Sequence, residues 1–113
     1  MAYDQYLADR MRKMLKDNKI SFQEREMMGG LTFMVDDKMC VGIIKNEMMA
    51  RIDPDFHKEA VQIDGCRTMD FTKRPMKGFV LLSPEAVDLD DELDFWILKA
   101  LEYNPKAKSS KKK

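Results

Sequence analysis

The residues between Leu31 and Ile52 constrain the fold of this chain more than any other stretch. Leu31, Phe33 and Val35 alternate with Thr32 and Met34. Asp36-Asp37-Lys38 then supplies a polar turn, after which Met39, Val41 and Ile43 oppose Cys40, Gly42 and Ile44. Lys45-Asn46 turns the chain again into Met48–Ile52. A period of two, interrupted by turns only two or three residues long, is the pattern of hairpin-linked strands, and such turns are too short for the crossovers that parallel strands need. An earlier strand at about Phe22–Met28, closing at Gly29-Gly30, and a later apolar strand at Gly78–Leu82 extend the sheet to about five strands.

Helices flank these strands. Tyr3, Leu7, Met11, Met14 and Leu15 recur at helical spacing and predict a helix over about 3–16. Asp4 stands at its positive start and Asn18 offers a stop. Asp53-Pro54-Asp55 is a helix-start signal, with an Asp cap and a proline at the first helical position. It predicts a short helix with Phe56, Ala60 and Ile63 facing inward, ended by Gly65. Leu89, Leu93, Trp96, Ile97, Ala100 and Leu101 form a broad final stripe, capped by Asp88 or Asp90 and ended at Asn104-Pro105. The expected class is α+β: an antiparallel sheet of about five strands, packed on one face by N- and C-terminal helices.

With 113 residues, the chain has the length of one domain and can bury a core without a metal or disulfide staple. Residues 1–105 read as that domain and 106–113, Lys-rich and without apolar bulk, as a disordered tail. The formal charge is zero, but five lysines and no acid lie from Lys106 onward. The body over 1–105 therefore carries 15 basic and 20 acidic residues, near −5. A negative body is a poor electrostatic partner for nucleic acid. No apolar run approaches the roughly 18 residues of a membrane span. The N-terminus has no apolar core segment of the secretory kind, so a cytoplasmic setting and reduced Cys40 and Cys66 are expected.

Few residues suggest chemistry. His57 is the only histidine and reads as an exposed helix residue, with no nucleophile-elbow pattern anywhere. Two cysteines and one histidine without close pairing do not make a zinc set. Gly29-Gly30 is followed by a strand, whereas a phosphate-binding glycine loop needs a helix N-terminus behind it, so a strand bend is expected. Asp88, Asp90, Asp91, Glu92 and Asp94 lack the glycine turn of a calcium loop and suit a helix start. No catalytic residue, metal or cofactor is expected, and the chain reads as a non-enzyme. Met27-Met28 and Met48-Met49 place adjacent methionines on opposite faces of a strand. One of each pair is expected on the uncovered face of the sheet, as an apolar contact surface such as a homodimer interface.

The segment Arg67–Gly78 combines four cations, one acid, methionine, phenylalanine and proline without periodicity. Mixtures of this kind on loops are stronger functional candidates than core positions. Within it, Met69-Asp70-Phe71-Thr72-Lys73-Arg74-Pro75-Met76-Lys77-Gly78 resembles the MDFTGRPMKG signature of the TfoX/Sxy N-terminal domain family. Met27-Met28-Gly29-Gly30-Leu31-Thr32-Phe33-Met34 is similar to that family's MFGGLAFM segment. Asp53-Pro54 matches its strand-to-helix corner, and Trp96 with Ala100-Leu101 its closing helix. Met28 stands where Phe is usual and Lys73 where Gly is usual.

The resemblance covers about Tyr3 to Tyr103. It implies a secretion-chaperone-like α+β domain and a bacterial regulatory protein of competence or transcription that acts through protein partners without catalysis. Chains of this family that regulate competence carry a second, C-terminal domain, so a stand-alone short form is the expectation here. The expected interaction surface comprises Gly29, Gly30, Arg67, Lys73, Arg74 and Lys77. Two other readings use the same region: a nucleic-acid module built on Arg67–Lys77 and the lysine tail, and a small-ligand or anion-binding domain.

Overall fold

A computed structural model describes residues 3–27, 30–69 and 78–107. The first helix, α1 (Gln5–Asp17), starts where the Asp4 carboxylate accepts the N–H groups of Tyr6 and Leu7 at 2.9 and 3.2 Å. That bond satisfies donors that a helix start leaves free. The strands follow: β1 (Gln23–Met27), β2 (Gly30–Val35), β3 (Lys38–Ile44) and β4 (Glu47–Arg51). Then come α2 (Pro54–Ala60), β5 (Cys66–Thr68), β6 (Phe79–Leu82) and α3 (Asp90–Tyr103). Short 3₁₀ turns occupy Pro84–Val87 and Asn104–Lys106.

The six strands of the described residues form one antiparallel sheet in the order β1-β2-β3-β4-β6-β5. The α+β class is therefore as expected, with one strand more than the sequence indicated. The β2–β3 turn uses Asp36 and Asp37 at φ 54° and 63°. Left-handed conformations at both central residues are what a type I′ hairpin requires.

The terminal helices cover one face of the sheet. Leu7, Met11 and Leu15 of α1 and Leu93, Trp96, Ile97 and Ala100 of α3 pack against Phe33, Val41, Ile43, Met48, Ile52 and Leu82. Arg10 ties the two helices together, donating to the Asp88 carbonyl at 3.0 Å and to Asp90 at 3.1 Å. Arg12 joins α1 to β1 through a fork on Glu24 at 2.6 and 2.8 Å. This fork holds the Glu24 carboxyl below its ordinary value and raises the guanidinium.

The other face carries a smaller apolar cluster. Met49, Met69 and Leu81 are buried there, with Met39, Ile44 and Phe79 packed against them. The expectation of a methionine on an uncovered face is thus corrected at Met48-Met49. Both are buried, one under the helices and one in this second cluster. The side chain of Met27, and Met28, lie outside the described residues. Cys40 and Cys66 are buried and unpaired, and burial pushes their thiols up to about 12 and about 11.

Three further details differ from the sequence reading. Ile63 lies beyond the end of α2 and is exposed rather than inward. Leu89 is the exposed N-cap of α3, where the Glu92 side chain accepts its N–H at 3.2 Å, so neither Asp88 nor Asp90 fills that place. At the C-terminal end, Lys106 closes a 3₁₀ turn and Ala107 is buried. The expected boundary at 105 falls inside that turn, and residues 108–113 lie outside the described residues.

Candidate interaction surface

Strands β5 and β6 form the two feet of the signature segment. Thr68 pairs with Val80, and the Met69 N–H donates to the Phe79 carbonyl at 3.0 Å. Residues 70–77 lie outside the described residues, which places Lys73, Arg74 and Lys77 beyond structural description. Gly29 does as well.

The two feet are clamped from the side by α2. The Asp53 carboxylate caps this helix by accepting the Asp55 N–H at 2.9 Å, and Pro54 presets its first turn. His57 then stands one turn along, half-buried. Its Nδ1 accepts the Gly78 N–H at 2.9 Å, and its Nε2 lies 2.9 Å from the Thr68 hydroxyl. An Nδ1 that accepts a backbone N–H carries no proton, so Nε2 holds the proton and donates it to Thr68. The expected exposed histidine is therefore a bridging one: it holds Thr68, the residue before the signature, and Gly78, its last residue. Both of its nitrogens are engaged, which suits a positioning role.

Gly78 has φ +88°, and a Cβ there would lie 3.1 Å from the Ile52 carbonyl oxygen. Its own carbonyl accepts the N–H of Ile52, the residue after β4, at 2.8 Å, so this foot is held there too. Glycine is needed for the left-handed backbone and for the close approach.

Arg67 projects from β5 onto the sheet face opposite the helices. It meets Glu47 of β4 in a two-point fork: Nη1 donates to Oε2, and Nη2 to Oε1 at 2.9 Å. The pairing registers Arg67↔Leu81 and Met49↔Leu81 show that this fork crosses over β6. Arg67 holds the Glu47 carboxyl below its ordinary value. Its charge is consequently compensated within the chain, which weakens its assignment to phosphate binding.

Gly30 opens β2, opposite Met27 and Ile44, and is buried. A Cβ on it would sit 2.0 Å from the Ile43 carbonyl oxygen, so its role is close strand approach. Three strands separate β2 from β5. At roughly 4.8 Å per strand, Gly30 and Arg67 start about 19 Å apart. The structure does not bring these two predicted site residues together.

Beside the Gly78 foot lies a cavity of about 250 Å³, lined by Asp53, Phe56, Lys99, Glu102 and Lys106 among others. Lys99 sits 4.8 Å from the centroid of the Phe56 ring and 3.8 Å from Glu102. The cavity offers two cations and two anions, a mixed rim without net preference for either sign. Among the described residues, no group of three His, Cys, Asp or Glu side chains could hold a metal, and no helix is long and apolar enough to cross a membrane.

Sequence reasoning missed His57 and Glu47. Their partners lie 11, 21 and 20 residues away, and no local pattern announces such pairs.

No curated protein and no solved structure matches the chain. The family model described as the TfoX N-terminal domain matches residues 19–103. This span begins after α1 and takes in every strand, α2, the clamped feet of the signature and α3 to its last residue. On that match over most of its length, the chain belongs to the TfoX N-terminal domain family.

Proposed function

We propose that this chain is a non-enzymatic regulatory domain that acts in the cytoplasm through protein partners, with Arg74 and Lys77 of the signature as contact residues. The observation that carries the reading is the family match across residues 19–103. The clamp supports it. A histidine bridging Thr68 and Gly78 fixes where the signature leaves and rejoins the sheet, and a contact segment gains affinity from anchored ends because less ordering is left for binding. The nucleic-acid reading has less support, since Arg67 is matched by Glu47 and the body is acidic.

The double change Arg74→Ala, Lys77→Ala tests this. The chain and its variant are each used to capture partners from the native cells, with stability measured in parallel. A contact surface predicts stability within about 0.5 kcal/mol of the parent and loss of a specific captured protein. A loss of roughly 1–3 kcal/mol, the cost of unsatisfied buried polar groups, with unchanged capture would overturn the proposal and make the signature a folding motif.

A further inference from the structure

A second cavity, of about 240 Å³, lies away from the signature, between the Ile63-Asp64 connection and the first turns of α3. Its lining includes the part-exposed Ile63 and Phe95 and the nearly buried Trp96, with Asp64, Asp91 and Glu92 as rim. At about 30 Å³ per water, the volume equals roughly eight waters, room for one large apolar side chain.

Two properties separate this cleft from ordinary surface. The first is its exposed apolar content. Phe95 and Ile63, both in its lining, are each 39% exposed, and Leu98, on α3 outside the lining, is 40% exposed. Asp91, Phe95 and Leu98 follow i, i+4, i+7 spacing and share one face of α3. That stripe runs about 10 Å along the helix, on a side where a solvated helix carries polar groups.

The second property is charge. The lining holds three carboxylates and no cation. Among the described residues Asp64 and Asp91 have no ion-pair partner, and Glu92 accepts the Leu89 N–H. Nearby, Asp90 is matched by Arg10, and Lys99 lies 4.8 Å from the Phe56 ring centroid, 5.6 Å from that of Phe95 and 3.8 Å from Glu102. The cleft thus joins exposed apolar surface to an anionic rim without an ion pair among the described residues, within a body whose net charge is also negative.

We infer that this cleft docks a basic segment of a partner protein by seating one apolar side chain against Trp96 and Phe95 while flanking lysines or arginines meet Asp64 and Asp91. Charge complementarity selects the occupant. An apolar anchor alone would fit any hydrophobic peptide, whereas the three carboxylates favour cationic flanks and repel acidic ones. The inference rests on the proposed partner-binding role only in taking a protein segment as the occupant. It concerns a surface distinct from Arg74 and Lys77.

Trp96 is the single tryptophan, so its fluorescence reports on this cleft directly. The whole chain is titrated with a synthetic peptide bearing two adjacent leucines flanked on both sides by lysines. Two control peptides replace the leucines by alanine or the lysines by glutamate. The expected result is a saturable change in Trp96 emission with the first peptide and at least tenfold weaker binding of both controls. Asp64→Asn with Asp91→Asn should weaken binding about tenfold at an unchanged thermal midpoint. If that variant does not fold, the peptide series on the parent chain decides alone.

Equal response to all three peptides, or none to any, overturns the inference. So does Trp96 emission that depends on protein concentration, which would seat a second copy in the cleft. Emission that changes when the chain is cut after Ala107 would place its own lysine-rich end there, with the same consequence. None of these results bears on the capture experiment with Arg74 and Lys77, so the two proposals fail separately.

Discussion

His57 Nδ1 accepts the backbone N–H of Gly78 at 2.9 Å across 21 residues of sequence. The same ring reaches the Thr68 hydroxyl, so one imidazole joins α2 to both feet of the signature. Replacing it by alanine strands a partly buried N–H and leaves the hydroxyl without its donor. His57→Ala should lower unfolding stability by roughly 1–3 kcal/mol, and Thr68→Val by less. A double-mutant cycle measured by urea unfolding should give a coupling of about 0.5 kcal/mol or more between positions 57 and 68. Strict additivity would mean that the ring and the hydroxyl contribute independently.

Two glycines should differ in what they tolerate. Gly78→Ala forces a side chain into a left-handed conformation beside the Ile52 carbonyl and should cost about 1–3 kcal/mol. Gly30→Ala puts a methyl group 2.0 Å from the Ile43 carbonyl oxygen. The β2–β3 pair must then open, at a cost of about 3 kcal/mol or more. Denaturant midpoints rank the two variants. A Gly30→Ala chain as stable as the parent would contradict the close strand approach.

Acid should weaken the fold through two carboxylates. Glu24 and Glu47 are held below the ordinary value of 4.5 by Arg12 and Arg67, respectively. A carboxyl whose value is lower folded than unfolded binds more protons in the unfolded chain, so stability rises with pH. This contribution is complete above the unfolded value and disappears as pH falls through the folded one. Arg67 is more than half exposed, so added salt should reduce the effect. Thermal midpoints between about pH 6 and pH 2.5 should fall less steeply for Glu24→Gln, Glu47→Gln than for the parent. Parallel curves would show that neither fork contributes.

Truncation should show a sharp boundary. Asn104 donates to the Val35 carbonyl at 3.2 Å, Lys38 donates to the Asn104 carbonyl at 3.1 Å, and Ala107 is buried. Residues 108–113 bring only lysines and serines. Removing 108–113 should leave the thermal midpoint unchanged. Removing 104–113 should lower it by about 4–8 °C for each kcal/mol lost. A large drop on the shorter deletion would show that the last lysines contribute to the folded state.

Much of the architecture was legible because its signals are local. The Asp4 cap, the Asp53-Pro54 start and the alternation from Leu31 to Ile52 each act within a few residues, and the helices and the four-strand meander follow from them. β5 escaped notice because three residues are too few to show a period; Cys66–Thr68 is a strand only by pairing with β6. Leu89 and Ile63 looked like core residues because they are apolar and near helical spacing, yet each stands just outside its helix. The candidate surface was less legible. Arg67 stands out in the sequence as a cation of the signature region, but its partner Glu47 belongs to a strand that becomes a near neighbour only once the sheet has formed. The bridging role of His57 needs the β5–β6 pair in place, so it depends on tertiary contacts that no sequence spacing encodes.

Strand β2 is buried at all six positions, Gly30 through Val35, and this bears on how the chain avoids mispairing as it folds. In a strand with one wet face, sliding by a single residue drives apolar groups into water, and that penalty enforces alignment. A strand buried on both faces lacks this safeguard. Here steric fit takes its place. Gly30 lies against the Ile43 carbonyl, and Gly42 against the Leu31 carbonyl, where a Cβ would come within 2.0 and 2.8 Å. The pairing steps once, between Phe33 and Met34. A slip that brings Leu31 into the place of Gly30, or Val41 or Ile43 into that of Gly42, would press a side chain into a gap that admits only hydrogen. Two small residues on facing strands thus act as a key and its slot, and fidelity of assembly rests on shape where polarity gives no guidance.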